Sequence, residues 1–240
     1  MNQSPHHNKP HSAPPPAAPQ PASWSANDAW LGLGLLIIVI AVYLVVVAQL
    51  GDSRAIYIFV ITTFEMLLLI PIAMIFLLRR ISWKDLGLRG FDRNNLSLGC
   101  GLLVFVYIFM VINKLIMRAL GIISQAESLS ELIDEIDSPL LFVFVTAIIA
   151  PFTEELFFRG FLFKGLREKY GWIHALMFSS IIFALFHGQI ATLIPTFLLG
   201  ALFAYLYQRT ESVYPGMILH FIINAMGAFA LLFANQAGML

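Results

Sequence analysis

The chain has 240 residues, of which 59% are hydrophobic and 12% are charged, and its formal net charge at pH 7 is zero. A soluble domain carries about 25% charged residues, so this composition excludes a single water-soluble core and indicates a polytopic membrane protein. The zero net charge removes the electrostatic case for a nucleic-acid partner, and the single cysteine, Cys100, excludes an internal disulfide framework.

The first 27 residues differ in composition from the rest of the chain. They are rich in Pro, Ala, Ser, His and Asn, contain three consecutive prolines at 14–16 and have no apolar run. This composition predicts a disordered tail, and the segment lacks the basic start and apolar stretch of a signal peptide. The histidines at positions 6, 7 and 11 fit a solvated tail better than a metal site.

Seven stretches are apolar over most of the roughly 20 residues that a membrane-spanning helix needs. They cover about 29–50, 55–78, 96–120, 139 to the glutamate pair at 154–155, 172–186, 190–207 and 213–233. We therefore expect an all-α, polytopic membrane helix bundle of about seven transmembrane helices, within a range of six to eight. The expected regions are the tail at 1–27, N-terminal helices and loops at 28–137, and a helical core at 138–235.

The charged loops alternate in sign along the chain. Segment 79–93 contains five basic residues, basic residues follow the fourth apolar stretch, and segment 121–138 has five acidic residues and no Lys or Arg. Because basic loops stay in the cytoplasm, we expect a cytoplasmic N-terminus. The short loops and the Pro-rich tail favour the inner (cell) membrane of a bacterium.

Glu154 and Glu155 lie side by side in apolar sequence, followed by Arg159. A charge in the bilayer core costs about 2.5–3.5 kcal/mol on an insertion scale, so such residues indicate a functional site. Glu155 and Arg159 are spaced to form an ion pair on one helix face. Glu154 points about 100° away from that face and is predicted to be the free carboxylate.

Three further polar residues occur within the later apolar stretches: His187, His220 and Asn224. If the chain reverses at Tyr170–Gly171, then Glu154 and His187 both lie about 24 Å from the turn. His220 and Asn224 share one helix face at a similar depth. A Glu beside a His can deprotonate a water, and a His with an Asn can stabilise an oxyanion, so the set predicts amide hydrolysis without a cofactor.

At these residues the sequence resembles the CPBP family, also called Abi or CAAX-protease-like intramembrane glutamic endopeptidases. Its motifs appear in order as Glu154-Glu155-x3-Arg159, Phe183-x3-His187 and His220-x3-Asn224. The resemblance implies that Glu154 and His187 activate the catalytic water and that His220 and Asn224 bind the oxyanion. It also implies supporting roles for Glu155 and Arg159, no metal, and a peptide or protein substrate, including a membrane-associated one.

Other functions remain open from the residues alone. A zinc-dependent membrane peptidase could use Glu154, His187 and His220 as ligands, although the HExxH signature is absent. A non-catalytic membrane immunity or binding protein could keep the same residues for interhelical contacts. A proton-coupled transporter is disfavoured because no inverted repeat is visible. Phe183 is expected to pack around the site, and Glu65 to pair with Lys114 or Asn113, or to line the cavity.

Overall fold

The computed structural model describes residues 22–51, 53–122 and 138–237, and within these ranges every regular element is a helix. The α-helices are α1 (Ala26–Leu50), α2 (Arg54–Thr63), α3 (Leu69–Arg79), α4 (Arg93–Ala119), α5 (Pro139–Phe144), α6 (Ala150–Glu155), α7 (Lys164–Phe186), α8 (Leu193–Thr210) and α9 (Tyr214–Gln236). Tight 3₁₀ turns occupy Phe64–Leu68 and Ile190–Thr192, and wide π-helical turns occupy Val145–Ile149 and Leu156–Phe163.

Six helical segments are long and apolar enough to cross a membrane, which confirms the prediction of a polytopic all-α bundle. The outer faces of α1 and α4 expose large apolar side chains, as helices in contact with lipid do. The segments are Ala26–Leu50, Arg54–Arg79, Arg93–Ala119, Pro139–Phe186, Ile190–Thr210 and Tyr214–Gln236.

The segment Pro139–Phe186 combines the fourth and fifth apolar stretches. A straight helix of its 48 residues would be about 72 Å long, more than twice the thickness of a bilayer core. Gly171 interrupts it with φ 76° and ψ 158°, a conformation that glycine adopts without a Cβ penalty. The rings of Phe158 and Phe183 lie 5.1 Å apart, so the two arms run antiparallel on either side of Gly171. The predicted reversal at Tyr170–Gly171 is therefore present, and the two arms account for the seventh span.

The centre of the bundle is the π-helical turn Leu156–Phe163, in which every residue is buried. It packs against α1, α3, α7 and α8. Gly160 allows close packing here, because a Cβ at this position would lie 2.6 Å from the Leu86 carbonyl oxygen. Trp24 also reaches this centre and donates its indole N–H to the Phe161 carbonyl at 3.1 Å. Residues 1–21 of the predicted tail and the acidic positions 127–137 lie outside the described residues.

The loop between α3 and α4 is fastened to the ends of α7 and α8 by a buried charge cluster. Glu211 accepts hydrogen bonds from Arg167 and, at 3.2 Å, from Arg89. The Lys164 ammonium donates to the Asp85 carbonyl at 2.6 Å, and the Ser212 hydroxyl to the Arg89 carbonyl at 2.6 Å. We call Arg89, Arg167 and Glu211 the loop clamp, since it ties segment 82–89 to the helices that carry the polar motifs.

Glu211→Ala is expected to lower the free energy of unfolding by about 3–5 kcal/mol, because it leaves the buried Arg167 guanidinium without its counter-charge. Reversible unfolding in detergent micelles measures the change. Arg209→Ala is the matched control, since Arg209 is an exposed charge near the same end of α8. An equal loss in both variants would contradict the stabilising role of the loop clamp.

Candidate active site

The short helix α6, which carries both glutamates, is bounded by wider helical turns. Pro151 has no N–H, so the regular helical hydrogen-bond pattern cannot continue through it. The Ala150 N–H bonds back to the Val145 carbonyl across a π-type turn, and in that register the Thr146 carbonyl would face the nitrogen of Pro151. The Asn224 side chain fills this gap by donating to the Thr146 carbonyl at 2.9 Å. Single π turns of this kind are frequent at functional sites.

The predicted ion pair between Glu155 and Arg159 is present in the interior. Arg159 Nη1 donates to Glu155 Oε1 at 2.7 Å, and both side chains are about 1% exposed. Arg159 Nη2 also donates to the Gly200 carbonyl of α8 at 3.2 Å. A buried ion pair is stable only when further hydrogen bonds satisfy its polar atoms, and the Gly200 carbonyl supplies one of these.

Aromatic rings enclose the Arg159 guanidinium. Its central carbon lies 4.3 Å from the centroid of the Phe183 ring and 5.3 Å from that of Phe203. Phe183 also contacts both site histidines, with ring centroids 4.8 Å from His187 and 5.9 Å from His220. Phe183 therefore stands between the ion pair and the two imidazoles, and packs around the site as the sequence predicts.

His220 bridges the two glutamates. Its Nδ1 lies 3.3 Å from Glu155 Oε1, and its Nε2 lies 3.7 Å from Glu154 Oε2. Its ring stacks on Phe203 with centroids 5.1 Å apart, which fixes the plane of the imidazole. The residue that approaches Glu154 in this structure is thus His220, whereas the sequence analysis placed His187 beside it.

His187 ends α7 and is anchored to its own helix. Its Nδ1 lies 2.9 Å from the Phe183 carbonyl. Because a carbonyl oxygen only accepts, Nδ1 carries the proton and Nε2 of a neutral ring is left as a free acceptor. Within the described ranges no hydrogen bond or ion pair joins His187 to Glu154, so a water between them would have to make the predicted connection.

Glu154 is buried and its Oε2 has no hydrogen-bond partner among the residues that the structure describes. In that part of the chain Glu155 Oε2 also lacks a hydrogen-bond partner, but Glu155 is held through Oε1 by Arg159, whereas Glu154 forms no ion pair with Arg159. The Oε2 of Glu65 is also buried without a hydrogen-bond partner among the described residues. The 3₁₀ turn that carries Glu65 packs against α6. Sequence spacing could not relate Glu65 to this site, although an acidic residue in the middle of a span was a signal.

No group of three or more His, Cys, Asp and Glu side chains is arranged to hold a metal ion in the described part of the chain. The zinc alternative requires Glu154, His187 and His220 as ligands. These three side chains are not arranged as a metal site in this structure. The tail histidines at 6, 7 and 11 lie outside the described residues.

Residues 136–226 match the family model described as type II CAAX prenyl endopeptidase Rce1-like. The resemblance to the CPBP family is confirmed. The matched region, which we call the CPBP region for this resemblance, contains all seven residues that the motifs singled out, which are Glu154, Glu155, Arg159, Phe183, His187, His220 and Asn224. Glu65 lies outside it.

Two bacterial proteins share part of this sequence. The Bacillus subtilis (strain 168) protein named "Putative membrane peptidase YdiL" is 32% identical over 104 residues, which is 43% of each chain. The Lactococcus lactis subsp. lactis (strain IL1403) protein named "UPF0177 protein YxdF" is 30% identical over 89 residues, 37% of this chain and 49% of that one. The chain therefore spans less than half the length of these curated relatives, and no solved structure matches it.

Gly216→Ala in the CPBP region is expected to lower the free energy of unfolding by about 1–3 kcal/mol through overpacking. A Cβ at this position on α9 would lie 2.6 Å from Glu155 Oε2, and the ion pair at Oε1 holds this carboxylate in place. Gly227→Ala is the matched control on the same helix, because its Cβ would meet no atom within 4 Å. The control should gain about 0.5–1 kcal/mol in unfolding measurements, and a loss as large as that of Gly216→Ala would contradict this packing.

Proposed function

We propose that the protein is a membrane-embedded glutamic endopeptidase that hydrolyses peptide bonds with a water activated by Glu154. The observation that carries the proposal is the unpartnered Oε2 of buried Glu154, which lies 3.7 Å from the Nε2 of His220. An unsatisfied carboxylate oxygen inside a protein is unfavourable, so it calls for a ligand such as a water. The match to the Rce1-like family supports the same function.

In the proposed reaction Glu154 accepts a proton from the water while the hydroxide oxygen adds to the peptide carbonyl carbon. The C–N bond then breaks, and the proton held by Glu154 passes to the departing amine. His187 is proposed to accept the second hydrogen bond of the water through its free Nε2. At the end of the cycle Glu154 has released the proton that it accepted, and both residues have returned to their initial protonation states.

The oxyanion formed on the substrate needs hydrogen-bond donors. Asn224 uses one amide hydrogen on the Thr146 carbonyl and retains a second for the substrate. His220 is proposed to donate from Nε2 as an imidazolium, protonated on both ring nitrogens, whose Nδ1–H is held by the Glu155 carboxylate. Glu155 and Arg159 are therefore proposed to support the site by acting through His220.

The same comparisons support a proposal for the substrate class and for the placement of the chain in the membrane. We propose a peptide or protein substrate, including tails that are attached to the membrane, because the matched family is described as a CAAX prenyl endopeptidase. The catalytic region is proposed to be the helical core 138–235. A bacterial cell membrane with a cytoplasmic N-terminus is supported by the two bacterial relatives and by the basic loops.

Glu154→Gln is expected to lower kcat by about 10²- to 10⁴-fold, because the amide cannot accept the proton of the water. The assay uses the purified full chain in proteoliposomes and a peptide library that contains farnesylated and unmodified C-terminal tails, with products identified by mass spectrometry. Glu168→Gln is the control, since it makes the same chemical change at an exposed position. Retention of cleavage by a folded Glu154→Gln variant would exclude Glu154 as the base.

The same assay separates the alternatives. A glutamic peptidase keeps its activity in the presence of a metal chelator, and the active preparation contains no stoichiometric zinc by elemental analysis. Loss of cleavage with the chelator and recovery with zinc would favour the zinc peptidase. If the wild-type chain cleaves nothing in the library but Glu154→Gln keeps full biological activity, the non-catalytic immunity or binding function is favoured.

A further inference from the structure

Glu65 is a carboxylic acid inside the second membrane-long segment, outside the CPBP region and outside its motifs. The helix changes there to the 3₁₀ turn Phe64–Leu68. Pro71 explains the change, since it has no N–H to offer to the Leu67 carbonyl. A 3₁₀ turn within a helix often marks a functional position.

This turn brings Glu65 to the catalytic helix. It packs against α6 and α1, and the carboxylates of Glu65 and Glu154 are close enough to interact electrostatically. The Oε2 atoms of both residues are buried, and neither has a hydrogen-bond partner among the residues that the structure describes. The partners that the sequence analysis expected for Glu65 are not used, because the Asn113 amide donates to the Ala191 carbonyl at 2.8 Å and Lys114 is exposed.

Among the described residues, no cationic side chain forms an ion pair with Glu65. Along the chain, Glu154 is followed by Glu155 and Arg159, and these two residues pair with each other. From α9, His220 approaches Glu154, and on α1 the Tyr43 hydroxyl lies 2.8 Å from that of Thr63. The remaining ionisable residues of α2 and α3 lie farther along those helices and are Arg54, Tyr57 and Arg79.

We propose that Glu65 is a positioning residue that shares one proton with Glu154 and so holds Glu154 as the base. Two carboxyl groups that lie close together in a dry site do not both ionise, and the pair keeps one proton over a wide pH range. Glu65 then carries the proton, and Glu154 is left as the ionised member of the pair. The proton from the catalytic water goes to Glu154 and leaves with the amine, while Glu65 keeps its own.

The shared proton makes a prediction that needs no substrate. We would titrate the carboxylic-acid C=O stretch by infrared difference spectroscopy in the purified full chain, comparing wild type, Glu65→Gln and Glu154→Gln. In the wild type the pair loses its protons in two steps, and the high-pH step exists because one carboxylate resists ionisation of the other. Removing either carboxyl group should therefore abolish the high-pH step in both variants.

Thr62→Val is the matched control, because the Thr62 hydroxyl donates to the Ile58 carbonyl of its own helix at 2.7 Å. It should retain both steps. If the high-pH step persists in either Glu→Gln variant, the two carboxyl groups titrate independently and the proposal is overturned. A merely structural role of Glu65 would change the folded fraction but would leave the high-pH step in Glu65→Gln.

This inference rests on the proposed function only in naming Glu154 as the base. In the peptidase assay, Glu65→Gln should lose the alkaline limb of the kcat/KM profile, because that limb reports loss of the shared proton. If both infrared variants lose the high-pH step while the wild type cleaves no peptide, the shared proton is established and the peptidase proposal fails. If the wild type cleaves and the high-pH step survives in Glu65→Gln, the peptidase proposal stands and this one fails.

Discussion

The buried ion pair between Glu155 and Arg159 is the interaction on which the arrangement of the site depends. It joins the end of α6 and the turn that follows it to the Gly200 carbonyl of α8 and to the ring of Phe183 on α7. The Glu155 carboxylate also lies 3.3 Å from Nδ1 of His220 on α9. Four helical segments thus meet at a single pair of charges, and removing either charge would leave the other buried and uncompensated.

This use of Glu155 leaves its neighbour unpaired. Since Arg159 donates to Glu155 and to the Gly200 carbonyl and lies against aromatic rings, it forms its ion pair with Glu155 and not with Glu154. A carboxylate oxygen without a partner is unfavourable for stability, but it is the group that can take a proton from water. The two adjacent glutamates therefore have different contacts, and the difference arises because only Glu155 lies one helical turn from Arg159.

Much of this could be predicted from the sequence. Hydropathy located the spans because each long apolar run has few alternatives to a membrane helix, and the spacing of Glu155 and Arg159 predicted their pair. The reversal expected at Tyr170–Gly171, from which the depths of Glu154 and His187 were counted, is also present. The lateral contacts could not be predicted in this way, because periodicity gives the face of a helix but not its neighbour. His220 rather than His187 approaches Glu154, Asn224 compensates for the missing N–H of Pro151, and Glu65 reaches the site through a 3₁₀ turn.

That Glu154 acts on a water rather than on the peptide carbonyl is tested most directly by a single turnover in water enriched in ¹⁸O. The enzyme is mixed with an equimolar amount of a peptide that it cleaves, and the peptide product and the enzyme are then analysed by mass spectrometry. Activation of water predicts one ¹⁸O atom in the new carboxyl group of the peptide and none in Glu154. A first product without the label, together with ¹⁸O in the Glu154 carboxylate, would show a covalent acyl intermediate and would contradict the account.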